Sequence, residues 1–169
     1  MNINQSGFSL AEITLALGLF AILFTIGLFS ITRSQQSSSL STTTETFLAD
    51  FKEQQTKAMT GDTETAGGQS ADNYGIHFEG SSYTIFRGTY TATNSGNFII
   101  HLPATVQVTT QMTIPGSSDN QLVFLKGSGE IASYNPTSNQ ITFKDTTMAS
   151  VIKTITINKY GVITSVVNQ

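Results

Sequence analysis

An α+β fold is predicted for this chain: a long N-terminal helix, apolar in its first half and amphipathic in its second, packed on a C-terminal antiparallel β-rich head. Three observations predict it. Residues 13–31, ITLALGLFAILFTIGLFSI, run nineteen positions without a charge. Leu40, Phe47, Leu48, Phe51, Ala58 and Met59 then fall at spacings that fit one face of a helix, with Glu45, Asp50, Glu53 and Lys57 elsewhere. From Tyr74 onward the pattern changes to period two and to β-branched and aromatic residues.

Residues 1–7 precede the apolar segment, which is taken as 8–31. At about 1.5 Å per helical residue, its uncharged run reaches about 28 Å, close to the hydrocarbon thickness of a bilayer. A secretory signal peptide would need a basic start and a small-residue cleavage site behind the run. Here residues 1–7 hold no Lys or Arg, and the run ends in Ser30, Ile31, Thr32 and Arg33. A membrane anchor fits better. Glu12 stands at its head, where an ionised side chain costs about 2.5 to 3.5 kcal/mol if drawn to mid-membrane. Two explanations are open: Glu12 lies at the interface and reaches the headgroups, or it has a charged partner.

Residues 32–46, TRSQQSSSLSTTTET, are polar and rich in Ser and Thr, and their composition suits either a flexible linker or a solvated helix of poor propensity. The amphipathic half of the helix, 32–60, is expected to end before Gly61. The segment 61–73 has no apolar pattern and several turn formers, so it reads as a loop. Within the head, 74–169, strands are expected near 74–78, 82–87, 97–102, 105–112, 121–125, 139–144, 150–157 and 162–167. Glu79-Gly80-Ser81 and Asn158-Lys159-Tyr160-Gly161 look like hairpin connections, while Pro103, Pro115 and Pro136 fall at or outside strand ends, where a missing N–H is harmless.

Gly7-Phe8-Ser9-Leu10-Ala11-Glu12, followed at once by the apolar helix, resembles the type III prepilin signal of type IV pilins and type II secretion pseudopilins. The resemblance implies a pilin-like fold and a structural subunit of a type IV pilus or a type II secretion pseudopilus, with a minor, tip or initiating, role. It implies that prepilin peptidase cuts between Gly7 and Phe8 and methylates the new amino group of Phe8. Glu12 would then neutralise the N-terminal amine of a neighbouring subunit during assembly. A carboxylate and an ammonium entering an apolar filament core cost less as a pair than apart. Further partners implied are other pilin or pseudopilin subunits, an inner-membrane assembly platform, and membrane lipid before assembly. The implied location is the bacterial cytoplasmic membrane, crossed once with the head outside the cytoplasm, and then the pilus or pseudopilus. Without Lys or Arg in residues 1–7, and with Arg33 beyond the anchor, that topology rests on the motif and not on loop charge. In order and texture, YGIHF, SYTIFRG, LPATVQV, LVFLKGSGEI, QITFKD and ITINKYGVIT are similar to the globular half of the H-type minor pseudopilins and related minor pilins.

Little in the chain points to chemistry. His77 and His101 each sit in a strand pattern, where a lone histidine is more often a surface or satisfied interior residue than a catalyst. Serines are abundant, yet no G-x-S-x-G or S-x-x-K context accompanies them. Gly127 and Gly129 in KGSGE read as a β-turn, because a phosphate loop needs a Lys after its last glycine at the head of a helix. Asp119, Asn120 and Asp145 lack the dense acidic spacing of a calcium loop and read as turn chemistry. No enzyme activity, metal or cofactor is expected. The net charge of -3 disfavours nucleic acid as the main partner. A DNA- or substrate-binding head remains an alternative if Arg87, Lys126, Lys144, Lys153 and Lys159 gather on one face, as does an anchored envelope protein that never polymerises.

Overall fold

The computed structural model describes residues 9–61, 72–112, 120–148 and 151–168, with the backbone alone at 27–34 and 36. A helix, α1 (Leu10–Thr60), precedes eight strands: β1 (Tyr74–Phe78), β2 (Ser82–Arg87), β3 (Phe98–His101), β4 (Val106–Thr110), β5 (Gln121–Phe124), β6 (Gln140–Asp145), β7 (Ile152–Ile157) and β8 (Ile163–Asn168). The chain divides into two compact units, Met1–Ser37 and Ser38–Gln169.

In the first unit, the described side chains of α1 are exposed, among them Leu10, Leu15, Leu19, Phe20, Leu23 and Phe24. Among the described residues no helix is long and apolar enough to cross a membrane. The apolar run whose side chains are described, residues 13–26, covers about 21 Å as a helix, short of the roughly 30 Å of a bilayer core. The expected span over 8–31 is thus not met by the described residues. The expected cleavage and methylation position, Gly7 and Phe8, lies outside them.

The Ser- and Thr-rich stretch, which composition left open, is helical. Thr44 and Thr46 donate their hydroxyls to the carbonyls of Leu40 and Thr42 at 2.7 and 3.0 Å, which satisfies the hydroxyls within the helix without favouring it. Burial of Leu40, Thr43 and Thr44 then outweighs the poor propensity of the Ser and Thr residues around them. Leu40, Phe47, Phe51 and Ala58 form the buried stripe and Leu48 is half-buried, whereas Met59 is 53% exposed. The spacing explains Met59: eight residues beyond Phe51 it has turned about 80° off the stripe. Gly61, at φ +68°, follows the last helical residue in the left-handed conformation that commonly ends helices.

Two four-stranded antiparallel sheets pack on this stripe, one ordered β3-β2-β1-β5 and the other β4-β6-β7-β8. All eight expected strands are present, and so are the hairpins at 79–81 and 158–161. Phe47 joins the two sheets. Its ring lies 5.8 Å from Phe78 and 5.4 Å from Tyr83 in the first sheet, and 5.1 Å from Phe143 in the second. Phe51 packs edge-on to Phe124 at 4.9 Å.

Candidate functional site

The sequence placed its functional residues at the start of α1, and the described part of that region is built around Glu12. Ser9 is the residue before the helix, and Glu12 is its third residue. The backbone N–H and hydroxyl of Ser9 donate to Glu12 Oε2 at 2.9 and 3.1 Å, while the Glu12 N–H faces Ser9 Oγ at 3.3 Å. This is a reciprocal capping box, which satisfies backbone donors that an α-helix otherwise leaves open at its start. Sequence reasoning missed Ser9 as a partner of Glu12, although a Ser followed three residues later by Glu ahead of an apolar run is the signal for it. Behind the cap, Glu12, Ile13, Ala16, Leu17 and Phe20 line an open furrow of about 430 Å³ whose surface is almost wholly apolar. Exposed apolar surface of this extent on a helix marks a face that is covered by lipid or by another protein.

The second unit shows how the rest of α1 is held. Gln55 donates to the carbonyls of Gly129 and Tyr160 at 3.1 and 2.8 Å, and Lys52 reaches the carbonyl of Gly161 at 3.3 Å. Gly127 N–H donates to the Ala58 carbonyl at 2.8 Å, satisfying one of the acceptors at the end of the helix. The KGSGE segment is therefore a turn that clasps the helix, as its sequence suggested. Gly129 is required there: at φ +66°, a Cβ would lie 2.4 Å from Met59 Cγ. Tyr83 donates its hydroxyl to Asp50, and its phenol pKa is pushed up, first by burial and then by the Asp50 carboxylate.

No described group of side chains suggests catalysis. His77 stacks on Tyr90 at 3.9 Å and lies 3.6 Å from Glu79, whereas His101 is exposed at the end of β3. Among the described residues no cluster of three or more His, Cys, Asp or Glu could hold a metal ion. Asp145 has a turn role: its Oδ1 accepts from the Thr147 N–H and hydroxyl and from the Met148 N–H. Burial raises its pKa, but these hydrogen bonds outweigh burial and hold the carboxyl below its usual range. Arg87 pairs with Asp72 at 2.8 Å and Lys159 with Glu130 at 3.5 Å. Lys144 and Lys153 lie across from Ile152 and Phe143, so alternation puts them on opposite faces of their sheet. These lysines do not share a face.

Neither a protein-family model nor a curated protein sequence matches the chain. A solved structure does: the minor pseudopilin EpsH from the type 2 secretion system of Vibrio cholerae, with a TM-score of 0.50 and 10% identity, over 77% of this chain and 97% of that one. The likeness shows that the chain has a pilin-like α+β fold, a helix followed by antiparallel sheets.

Proposed function

We propose that this protein is a structural subunit of a type II secretion pseudopilus or a related type IV pilus, made as a prepilin and assembled through α1. The observation that carries the proposal is a helix whose first half exposes an apolar surface headed by one carboxylate, in a chain with the fold of a minor pseudopilin. Before assembly the apolar segment 8–31 anchors the chain in the cytoplasmic membrane. Prepilin peptidase cuts between Gly7 and Phe8 and methylates Phe8. An inner-membrane platform then transfers the anchor from lipid into a bundle of neighbouring helices, which cover the furrow along Ile13, Ala16, Leu17 and Phe20.

Glu12 serves as the electrostatic latch of that transfer, since its carboxylate meets the amine of a neighbour's chain end at the cost of one desolvated pair rather than two lone charges. The head surface gives the subunit its place, as a minor, tip or initiating, component. No catalytic role is assigned. A DNA-capturing head gains no support from Lys144 and Lys153, which lie on opposite faces of their sheet, or from Lys159, which pairs with Glu130.

Mass spectrometry of the native N-terminus tests the reading. The expected chain lacks residues 1–7 and begins with a methylated Phe8. A chain that keeps Met1 in cells with an active prepilin peptidase leaves a plain membrane anchor instead.

A further inference from the structure

α1 is continuous through the boundary between the two compact units, which falls at Ser37 and Ser38. What holds the helix differs on the two sides. Ahead of the boundary, residues 13–26 are apolar and suited to lipid or to other helices. Behind it, Leu40, Thr43, Thr44 and Phe47 are buried under the head. Between them lies Ser34-Gln35-Gln36-Ser37-Ser38-Ser39, with Gln35, Ser37 and Ser38 exposed and Ser39 half-buried. Serines compete for the backbone hydrogen bonds of a helix interior, and none of the six residues brings an apolar side chain to bury. Most helical stability comes from packing of an apolar face, so a stretch that lacks one opens first.

The sequence also marks both ends of such an opening. Thr42-Thr43-Thr44-Glu45 repeats the order Ser9-Leu10-Ala11-Glu12, a hydroxyl residue followed three places later by Glu. At the head of α1 that order closes a capping box. At Thr42 the same order sits inside a continuous helix, a start signal where no helix starts. On the other side, Arg33 stands where the first half would end, and a cation there suits the negative end of a helix. One helix thus carries the stop and start signals of two. Leu40, 1% exposed, pins the second half to the head two residues ahead of its start signal.

The assembly proposed above, on which this inference rests, gives the opening a use. As the apolar half passes from lipid into a bundle, it has to travel along its axis without unpacking the head. Six helical residues cover about 9 Å and the same six extended reach about 20 Å, so opening them supplies about 11 Å of travel, or two helical turns. We propose that residues 34–39 are a yielding link in α1, which opens reversibly beyond Arg33 so that the apolar half can move while the second half, held by Leu40 and capped from Thr42, stays docked.

Hydrogen exchange of the full-length chain in dodecyl maltoside micelles tests the link without any assembly machinery. Amides of 34–39 should exchange at least about a hundredfold faster than those of 44–58. Ser34→Ala, Ser37→Ala and Ser38→Ala together should slow that exchange about tenfold and leave thermal unfolding of the head unchanged. In cells that carry the machinery, this triple variant should cut the yield of sheared filaments. Glycine at the same three positions should speed the exchange and keep the yield. Protection of 34–39 equal to that of 44–58 would overturn the proposal, and so would wild-type filament yield from an alanine variant whose exchange has slowed. A glycine variant that loses filaments as the alanine one does also overturns it, because the loss then follows the serines and not the helix. No filaments from the wild-type chain, with 34–39 open to exchange, sinks the assembly reading and leaves the link standing.

Discussion

Glu12 caps its own helix. Its Oε2 accepts two bonds from Ser9, so the carboxylate is already oriented at the head of the apolar segment. Charge and cap can be separated by substitution, because a glutamine at the same place still closes a capping box. Glu12→Gln should therefore leave the helix start intact and sharply reduce the yield of sheared filaments, while Glu12→Ala loses both. Filament yield equal to wild type for the Gln variant would reduce Glu12 to a cap. Asp145 sets a pH dependence of known sign. Its folded pKa is lowered by the Thr147 and Met148 bonds, so the stability it contributes is complete above the usual aspartate value near 3.8. That contribution is lost as pH falls through the lower folded value. Urea unfolding measured from pH 5 down to about pH 2 should show this loss in wild type and a flatter profile in Asp145→Asn. At this scale the sequence was partly legible. The acid at the start of α1 was read as functional, but the short-range Ser9 partner was passed over because the prepilin-like motif absorbed the same residues. The turn role of Asp145 followed from its type and spacing, whereas its burial is set by the strands around it and has no local signal.

Among the elements, α1 meets the sheets through a few buried side chains. Phe47 is fully buried and touches both sheets, so truncating it opens a cavity where α1 meets β1, β2 and β6. Phe47→Ala should destabilise the head by about 3 to 5 kcal/mol, and Leu48→Ala, at a half-buried position, by clearly less. Chemical denaturation of both variants checks the order as well as the size. Strand positions were readable because side-chain alternation is local. The division into two sheets was not. β4 leaves its chain neighbours to pair with β6, and β5 returns to pair with β1, choices made by long-range burial that no window of sequence contains. The 32–46 stretch shows the same rule from the other side. Its composition favours neither helix nor linker, and what decides is that Leu40, Thr43 and Thr44 lie under the head.

At the scale of the whole molecule, the sequence reading and the fold meet in a division of labour. Residues 13–26 hold no charge and expose their side chains, which suits lipid or a bundle of like helices, while the second unit buries most of its large side chains, Phe47, Phe51, Phe124 and Phe143 among them. The fold class was legible because the period of the apolar pattern changes once, from helix to strand. The placement of the exposed β3 and β8 edges became visible only with the sheets assembled. Were α1 pulled, as the proposed assembly requires, the load would enter the head through the side chains that pack on it, Phe47 among them. Because the same ring is gripped by Phe78 and Tyr83 on one side and by Phe143 on the other, a pull along the helix strains both sheets together. The head is therefore expected to give way with both sheets engaged and not one alone.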